Sequence, residues 1–170
     1  MTFPQHAKQK MYFVFRQTKE PSIPYIIGLT GGIASGKSTV CRFLAETQGV
    51  PIIYCDELGH EAYNKGTACF DKLVETFGRE ILDEAGANIN RQVLGSKVFG
   101  NEEKLAQLTA VVWPEIRRLA HLRIDEFVKQ GHQIVILDAA VLIEAGWDEF
   151  CHEVWVMIVP KEEVSNFGYS

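Results

Sequence analysis

The sequence has no surplus of basic residues. Its 17 lysines and arginines stand against 22 aspartates and glutamates, and the formal net charge is −5. Proteins that bind duplex nucleic acid carry a basic surplus, because their cations must replace the counterions of the phosphates. We therefore expect no nucleic-acid partner.

Paired cysteines, a signal peptide and long apolar runs are also missing. No apolar run approaches the ~20 residues that cross a bilayer, so we expect a soluble chain without a membrane span. The lack of a C-x-x-C pair argues against a zinc site and favours reduced thiols in a reducing compartment. The four cysteines are residues 41, 55, 69 and 151.

The first 24 residues lie outside the periodic part of the chain. They carry no acid before Glu20, and Pro21 and Pro24 close the segment. We expect a flexible N-terminal leader over 1–24 and one domain over 25–170, a length that suits a single core. A cytoplasmic location is expected, and the acid-free start leaves a mitochondrial one as the alternative.

A glycine-rich loop follows the first apolar run. Tyr25–Leu29 predicts a buried strand, residues 39–46 predict a helix, and Gly31-x-x-x-x-Gly36-Lys37-Ser38 stands between them. This is the P-loop pattern in its strand, loop and helix context. Glycines let backbone N–H groups turn toward an anion, and the helix start adds its positive dipole end.

The loop therefore predicts a nucleoside triphosphate site in an α/β fold with a parallel sheet. Lys37 supplies a charge for the β- and γ-phosphates, and the Ser38 hydroxyl is placed to ligate Mg²⁺. The competing interpretation is a glycine-rich turn before an ordinary helix. The residues assigned to the nucleotide are Gly31, Gly32, Ile33, Ala34, Ser35, Gly36, Lys37, Ser38 and Thr39.

Carboxylates end two further predicted strands. Asp56 follows the apolar run 50–55, and Asp138 follows the run 133–137 in a Walker B arrangement that holds Mg²⁺. Ligands of doubly wound sheets sit beyond the carboxyl ends of the strands, where both acids would lie. The alternative for Asp56 is a helix N-cap.

His60 comes four residues after Asp56, on the same face if the segment is helical. It could hydrogen-bond Asp56 or a substrate, and the alternative is an ordinary, partly buried histidine.

Residues 66–130 are predicted to be mostly helical, as an insertion that could cover a substrate. One helix stops at Gly78, a short one occupies 90–99, and an apolar stripe begins at Pro114 in a first-turn position. Within this insertion Arg91 and Lys97 could reach an anionic substrate. Solvated surface is the alternative for both.

Four segments together resemble the dephospho-CoA kinase family. The similarity covers about residues 25–160, and the kinase half of the animal bifunctional CoA synthase is the more specific resemblance, since Trp113-Pro114 stands where bacterial relatives have His-Pro. The segments are IGLTGGIASGKST at 27–39, DELGHEAY at 56–63, INRQVLGSKVF at 89–99 and LDAAVLIEAGW at 137–147.

The resemblance implies transfer of the γ-phosphate of ATP to the ribose 3′-hydroxyl of dephospho-CoA, the last step of coenzyme A biosynthesis. The loop and Lys37 would hold ATP, and Asp56 would accept the hydroxyl proton. Asp138 would lie by the Mg²⁺ ion, and Arg91 and His60 would contact the substrate.

Two departures qualify this expectation. Tyr54 stands where the family usually has an acid, and the chain ends where the family continues into an arginine-bearing lid, a fifth strand and a last helix. Such arginines neutralise charge on the transferred phosphoryl group. The alternative function is thus a catalytically weak or inactive isoform that retains nucleotide binding.

The early end also predicts an exposed sheet edge at Val154–Val159, with self-association unless the leader or a partner covers it. A GTPase is a further alternative, from the D-x-x-G match at 56–59, but Asn64-Lys-Gly-Thr67 lacks the Asp of a base-reading motif.

Overall fold

In the computed structural model of the chain, residues 12–17, 24–33 and 35–158 are described. The strands are β1 Tyr12–Gln17, β2 Tyr25–Gly31, β3 Ile52–Tyr54, β4 Ile134–Asp138 and β5 Glu153–Ile158. The helices are α1 Lys37–Gln48, α2 Cys55–Ala62, α3 Ala68–Phe77, α4 Arg91–Val98 and α5 Glu102–Lys129, with 3₁₀ turns at Arg79–Ile81 and Trp147–Phe150.

The chain divides into two compact units. The sheet unit comprises the residues up to Tyr54 and those from Ile124 onward, and the helical unit is Cys55–Arg123. The predicted insertion over 66–130 is therefore confirmed as mostly helical, while the single domain predicted over 25–170 stays a prediction.

All five strands belong to one sheet of the first unit. Their order is β1-β5-β2-β4-β3, with β2 parallel to both of its neighbours and β3 parallel to β4. The central strand β2 is buried from Ile26 to Thr30, as expected of a parallel strand that is covered on both faces. The predicted parallel α/β sheet is confirmed.

The core of the sheet unit lies between the sheet and α1. Each fully buried aliphatic side chain there contributes about 1.5–3 kcal/mol. Because α1 carries two of these core residues, the apolar contacts fix the position of the helix start that follows the loop. The cluster is Ile27, Leu29, Val40, Cys41, Ile136 and Met157.

The buried His152 connects β2 to the start of β5. Its backbone N–H donates to the Ile26 oxygen at 2.7 Å, and its Nδ1 accepts the Ile26 N–H at 2.9 Å. The Tyr25 ring stacks on the imidazole with centroids 5.0 Å apart. Because Nδ1 accepts a hydrogen bond, it carries no proton.

In the helical unit, α3 follows the predicted signals. The Thr67 side chain caps it by accepting the Phe70 N–H at 3.0 Å, and Gly78, at a φ of 86°, ends it. Its buried face is formed by Cys69, Phe70, Leu73 and Phe77.

Pro114 lies inside α5, so the prediction of a first-turn position is wrong. A proline in a helix interior removes one backbone hydrogen bond and crowds the preceding turn. Val112, Ile116 and Ala120 are nevertheless buried at a spacing of four across it. Burial of this continuous apolar face outweighs the local cost.

The leader and edge predictions also need correction. Tyr12–Gln17, inside the predicted flexible leader, forms β1 and pairs antiparallel with β5 in the register Tyr12 to Ile158. β5 thus has a neighbour on each side, and the premise of self-association through it is not met. The helix predicted from Lys161 and the loop residue Ala34 lie outside the described residues.

None of the helices in the described part of the chain is long and apolar enough to cross a membrane.

We predict that Gly28→Ala destabilises the sheet unit by about 1–3 kcal/mol. A Cβ at Gly28 would lie 2.6 Å from Leu142 Cδ2 and 2.9 Å from Cys151 Sγ, and both side chains are fully buried. Urea unfolding measures the effect.

Gly95→Ala is the matched control. A Cβ at Gly95, within α4, meets no atom within 4 Å, so this change should leave the protein equally stable or about 0.5–1 kcal/mol more stable. Equal stability of the two variants would contradict the prediction.

Candidate active site

The glycine-rich loop joins β2 to α1. Gly36 is the N-cap of α1 with φ 83° and ψ 9°, a left-handed conformation that favours glycine. Its carbonyl accepts the N–H groups of Thr39 and Val40 at 3.0 and 3.1 Å. Ser38 and Thr39 are exposed in the first turn of the helix, so their hydroxyl groups are open to a ligand.

Gly31 and Ser35 shape the inner side of the loop. A Cβ at Gly31 would lie 2.7 Å from the Met157 carbonyl and 2.9 Å from Ser35 Oγ, so only glycine fits. Ser35 is buried, and its hydroxyl has no hydrogen-bond partner among the described residues. Buried hydroxyl groups are normally paired. The Ser35 hydroxyl is therefore available to hydrogen-bond a ligand of the loop.

The ammonium of Lys37 contacts the carboxylate of Asp138. The two side chains are only 15% and 7% exposed, and Nζ donates to Oδ1. The contact follows from the sheet register, because Asp138 ends β4 opposite Leu29 of β2. The predicted phosphate-binding lysine and metal-binding carboxylate are thus brought together.

Cys41 lies beneath this ion pair on α1. Burial, followed by the negative charge of Asp138, raises the pKa of its thiol from 9.0 to about 12. The thiol is fully buried and stays neutral at physiological pH. All four cysteines are buried and none forms a disulfide, as expected of reduced thiols.

Asp56 lies in the first turn of α2, which begins at Cys55 directly after β3. Asp56 is therefore not the last residue of the strand. It also lies inside the helix rather than before it, so the alternative of a helix N-cap is wrong. Its carboxylate is exposed and makes no ion pair or side-chain hydrogen bond with another described residue.

His60 and Arg91 contact each other. Arg91 Nη2 lies 2.6 Å from His60 Nε2, and both side chains are exposed. The sequence suggested Asp56 as a partner of His60, but in the described part of the chain the partner is Arg91. The alternative of a partly buried histidine is wrong.

Lys97 differs from Arg91. Its ammonium pairs with Glu80 at 2.7 Å, and the hydrogen bond from Lys97 is the main cause that lowers the pKa of that exposed carboxyl. Of the two cations proposed for an anionic substrate, the structure leaves only Arg91 without a carboxylate partner among the described residues.

The donor set at the loop fits a magnesium ion. Ser38 and Asp138 offer oxygen ligands, which Mg²⁺ prefers, and Mg²⁺ is usually held by one or two protein oxygens together with phosphates and water. No group of three or more His, Cys, Asp or Glu side chains forms a metal cage within the described residues.

Comparison with known proteins decides the family. The dephospho-CoA kinase family matches residues 25–165. The chain belongs to the dephospho-CoA kinase family. Membership confirms the predicted P-loop kinase fold and the expectation of an enzyme that uses ATP with Mg²⁺. The finer resemblance to the animal bifunctional enzyme stays a prediction.

Individual dephospho-CoA kinases are similar over most of the chain. One from Dehalococcoides mccartyi is 41% identical over 140 residues, which are 82% of this chain and 69% of the relative. One from Geobacter sulfurreducens is 46% identical over 137 residues, or 81% and 68%. The chain spans about two thirds of the length of these relatives.

Solved structures agree on the fold. TT1252 from Thermus thermophilus superposes with a TM-score of 0.68 at 32% identity, over 88% of this chain and 75% of that one. A dephospho-CoA kinase from Campylobacter jejuni reaches a TM-score of 0.53 at 24% identity, over 69% and 59%. The second likeness supports the fold alone.

Sequence reasoning missed two features of the site. The contact between His60 and Arg91 joins residues 31 positions apart, and neither flanking pattern indicates it. Sequence reasoning also did not single out Tyr63, which lies three residues after His60. The positive charge of Arg91 acts on its phenol, whose pKa is raised chiefly by burial and then by Cys69.

We predict that Lys37→Met destabilises the protein by about 2–4 kcal/mol, because it leaves the buried Asp138 carboxylate without its cation. The double variant Lys37→Met/Asp138→Asn should recover most of that loss, since the remaining amide carries no charge. Urea unfolding of the two single variants and the double variant measures the coupling. Additive losses in the double variant would contradict the prediction.

We also predict that the free energy of unfolding falls as pH rises from about 9 toward about 12. The unfolded thiols ionise near 9.0, whereas the native Cys41 and Cys69 keep their protons up to about 12 and about 11. The native state then binds more protons than the unfolded state, so stability decreases. Cys41→Ala should reduce this slope, and an unchanged slope would contradict the assignment.

Proposed function

We propose that this chain transfers the γ-phosphate of ATP to the 3′-hydroxyl of the ribose of dephospho-CoA, giving coenzyme A and ADP. The observation that carries the proposal is the ion pair of Lys37 with Asp138 beside the glycine-rich loop, in which Gly36 has a positive φ. Family membership supplies the substrate.

The loop and Lys37 bind the triphosphate. Backbone N–H groups of the loop and the first turn of α1 face the phosphates, and the Lys37 ammonium neutralises charge on the β- and γ-phosphates. The Ser35 hydroxyl offers a further polar atom that the described residues leave unpaired. Phosphoryl transfer depends mainly on such positioning and charge neutralisation.

Ser38 and Asp138 would hold the magnesium ion. When bound, Mg²⁺ supplies charge neutralisation on the phosphate oxygens. Lys37 would then exchange its contact with Asp138 for one with the phosphates, so each partner of the ion pair acquires a ligand of opposite charge.

Asp56 acts as the general base. Its chain neighbour Tyr54 is paired with Asp138 in the sheet, and Asp56 follows two residues later at the start of α2. The carboxylate accepts the proton of the ribose hydroxyl while that oxygen forms the new bond to phosphorus and ADP departs. The exposed, unpaired carboxylate supports this role.

We propose that residues of the helical unit contact the substrate, namely His60 and Arg91. The diphosphate of dephospho-CoA is an anion, and an exposed guanidinium with free N–H groups is suited to bind it. We also propose a cytoplasmic location, which is supported by four buried cysteines that form no disulfide.

The test is ATP-dependent phosphorylation of dephospho-CoA, followed by ADP release and by detection of coenzyme A. Lys37→Ala should lower kcat/KM by about a hundredfold or more, because charge stabilisation of the transferring phosphoryl group is lost. Asp56→Asn should lower kcat by about 10²–10⁴-fold with little change in the KM for ATP.

Glu57→Gln is the matched control for Asp56→Asn. Glu57 is exposed in the same helical turn and carries the same charge, so this variant should keep wild-type activity. Full activity of Asp56→Asn, or no transfer to dephospho-CoA by the wild type, would overturn the proposed function.

A further inference from the structure

The Arg91 guanidinium donates a hydrogen bond to a neutral acceptor, the imidazole of His60. A guanidinium is always protonated and can only donate, so His60 Nε2 accepts the hydrogen bond at 2.6 Å. The neutral imidazole must then carry its proton on Nδ1. The contact thus fixes both the direction of the guanidinium and the tautomer of the imidazole.

Three other cations of the helical unit are held by carboxylates. Arg118 pairs with Glu115 at 2.7 Å, Arg123 with Glu61 at 3.1 Å, and Lys97 with Glu80. A carboxylate partner orients a cation and also neutralises it. An imidazole orients Arg91 and leaves its whole charge for another anion.

The backbone on both sides of the contact is held in place. Leu82 and Ile89 form an isolated antiparallel β-bridge. The Asn90 N–H donates a hydrogen bond to the Ile81 oxygen at 2.7 Å. The Asn90 side chain then caps α4, where Arg91 is the first residue, by accepting two N–H groups at 3.1 and 3.2 Å. His60 is carried by α2, which is anchored by the buried Leu58 and Ala62.

The guanidinium keeps free donors. It has five N–H groups, and His60 takes one of them. In the described part of the chain no carboxylate occupies the others, and the side chain is exposed. Burial raises the pKa of the Tyr63 phenol, and the positive charge of Arg91 acts against that shift. This arrangement suits bidentate binding of a phosphate group.

We propose that His60 is a positioning residue: it orients Arg91, and Arg91 alone of the two binds the diphosphate of the substrate. The inference rests on the proposed function for the identity of the anion. It divides the roles within a pair that the sequence assigned jointly to substrate contact.

The first test is a double-variant cycle read as separate KM and kcat values. Loss of one orienting hydrogen bond in His60→Ala should raise the KM for dephospho-CoA about fivefold, and loss of the cation in Arg91→Ala should raise it about fiftyfold. The KM for ATP should stay unchanged in both. His60→Ala/Arg91→Ala should match Arg91→Ala, because His60 acts only through Arg91.

Conservative variants separate orientation from folding. His60→Gln retains a neutral acceptor and should restore most of the wild-type KM for dephospho-CoA. Arg79→Ala removes the same charge from an exposed position of the same unit, so it should leave both KM values unchanged. An additive double variant, or failure of His60→Gln to rescue, would overturn the inference.

The second test does not depend on activity. Nitrogen NMR of the imidazoles at alkaline pH, where they are neutral, should show His60 with its proton on Nδ1, and His60→Gln identifies its signals among those of the five histidines. Arg91→Ala should change the tautomer ratio of His60. If the tautomer ratio of His60 is the same with and without Arg91, this inference is overturned even if dephospho-CoA is phosphorylated. If the ratio depends on Arg91 but dephospho-CoA is not phosphorylated, the positioning role stands and the proposed function is overturned.

Discussion

The ion pair of Lys37 with Asp138 is the constraint on which the site of the sheet unit depends. It exists because β2 and β4 are parallel neighbours, so the loop after one strand and the carboxylate ending the other meet at the same edge. With side chains 15% and 7% exposed, neither charge is well solvated. Each charge is stabilised by the other.

The helical unit uses its charges differently. Its paired cations are mostly neutralised by carboxylates, as with Lys97 and Glu80. Arg91 instead has a neutral partner in His60. The sheet unit thus pairs two opposite charges at the end of β4, while Arg91 of the helical unit keeps a positive charge that no described carboxylate neutralises.

Two elements show where local patterns mislead. A proline usually marks a first turn, but Pro114 lies within α5 because the buried face formed by Val112, Ile116 and Ala120 continues across it. The segment Tyr12–Gln17 forms a strand by pairing with β5. Its aromatic and β-branched residues are typical of a strand, but its partner comes from the far end of the described chain, which the N-terminal sequence does not indicate.

The sequence by itself determined the loop, its lysine and serine, and the helix and strand around it, because positive-φ glycines and a helix start are set by residues within a few positions. It also named Asp138, His60 and Arg91 as single candidates. Only the tertiary structure decided their partners, since Lys37 and Asp138 lie 101 positions apart and His60 and Arg91 lie 31 apart. Contacts over such separations depend on strand order, register and helix packing, which no short stretch of sequence encodes.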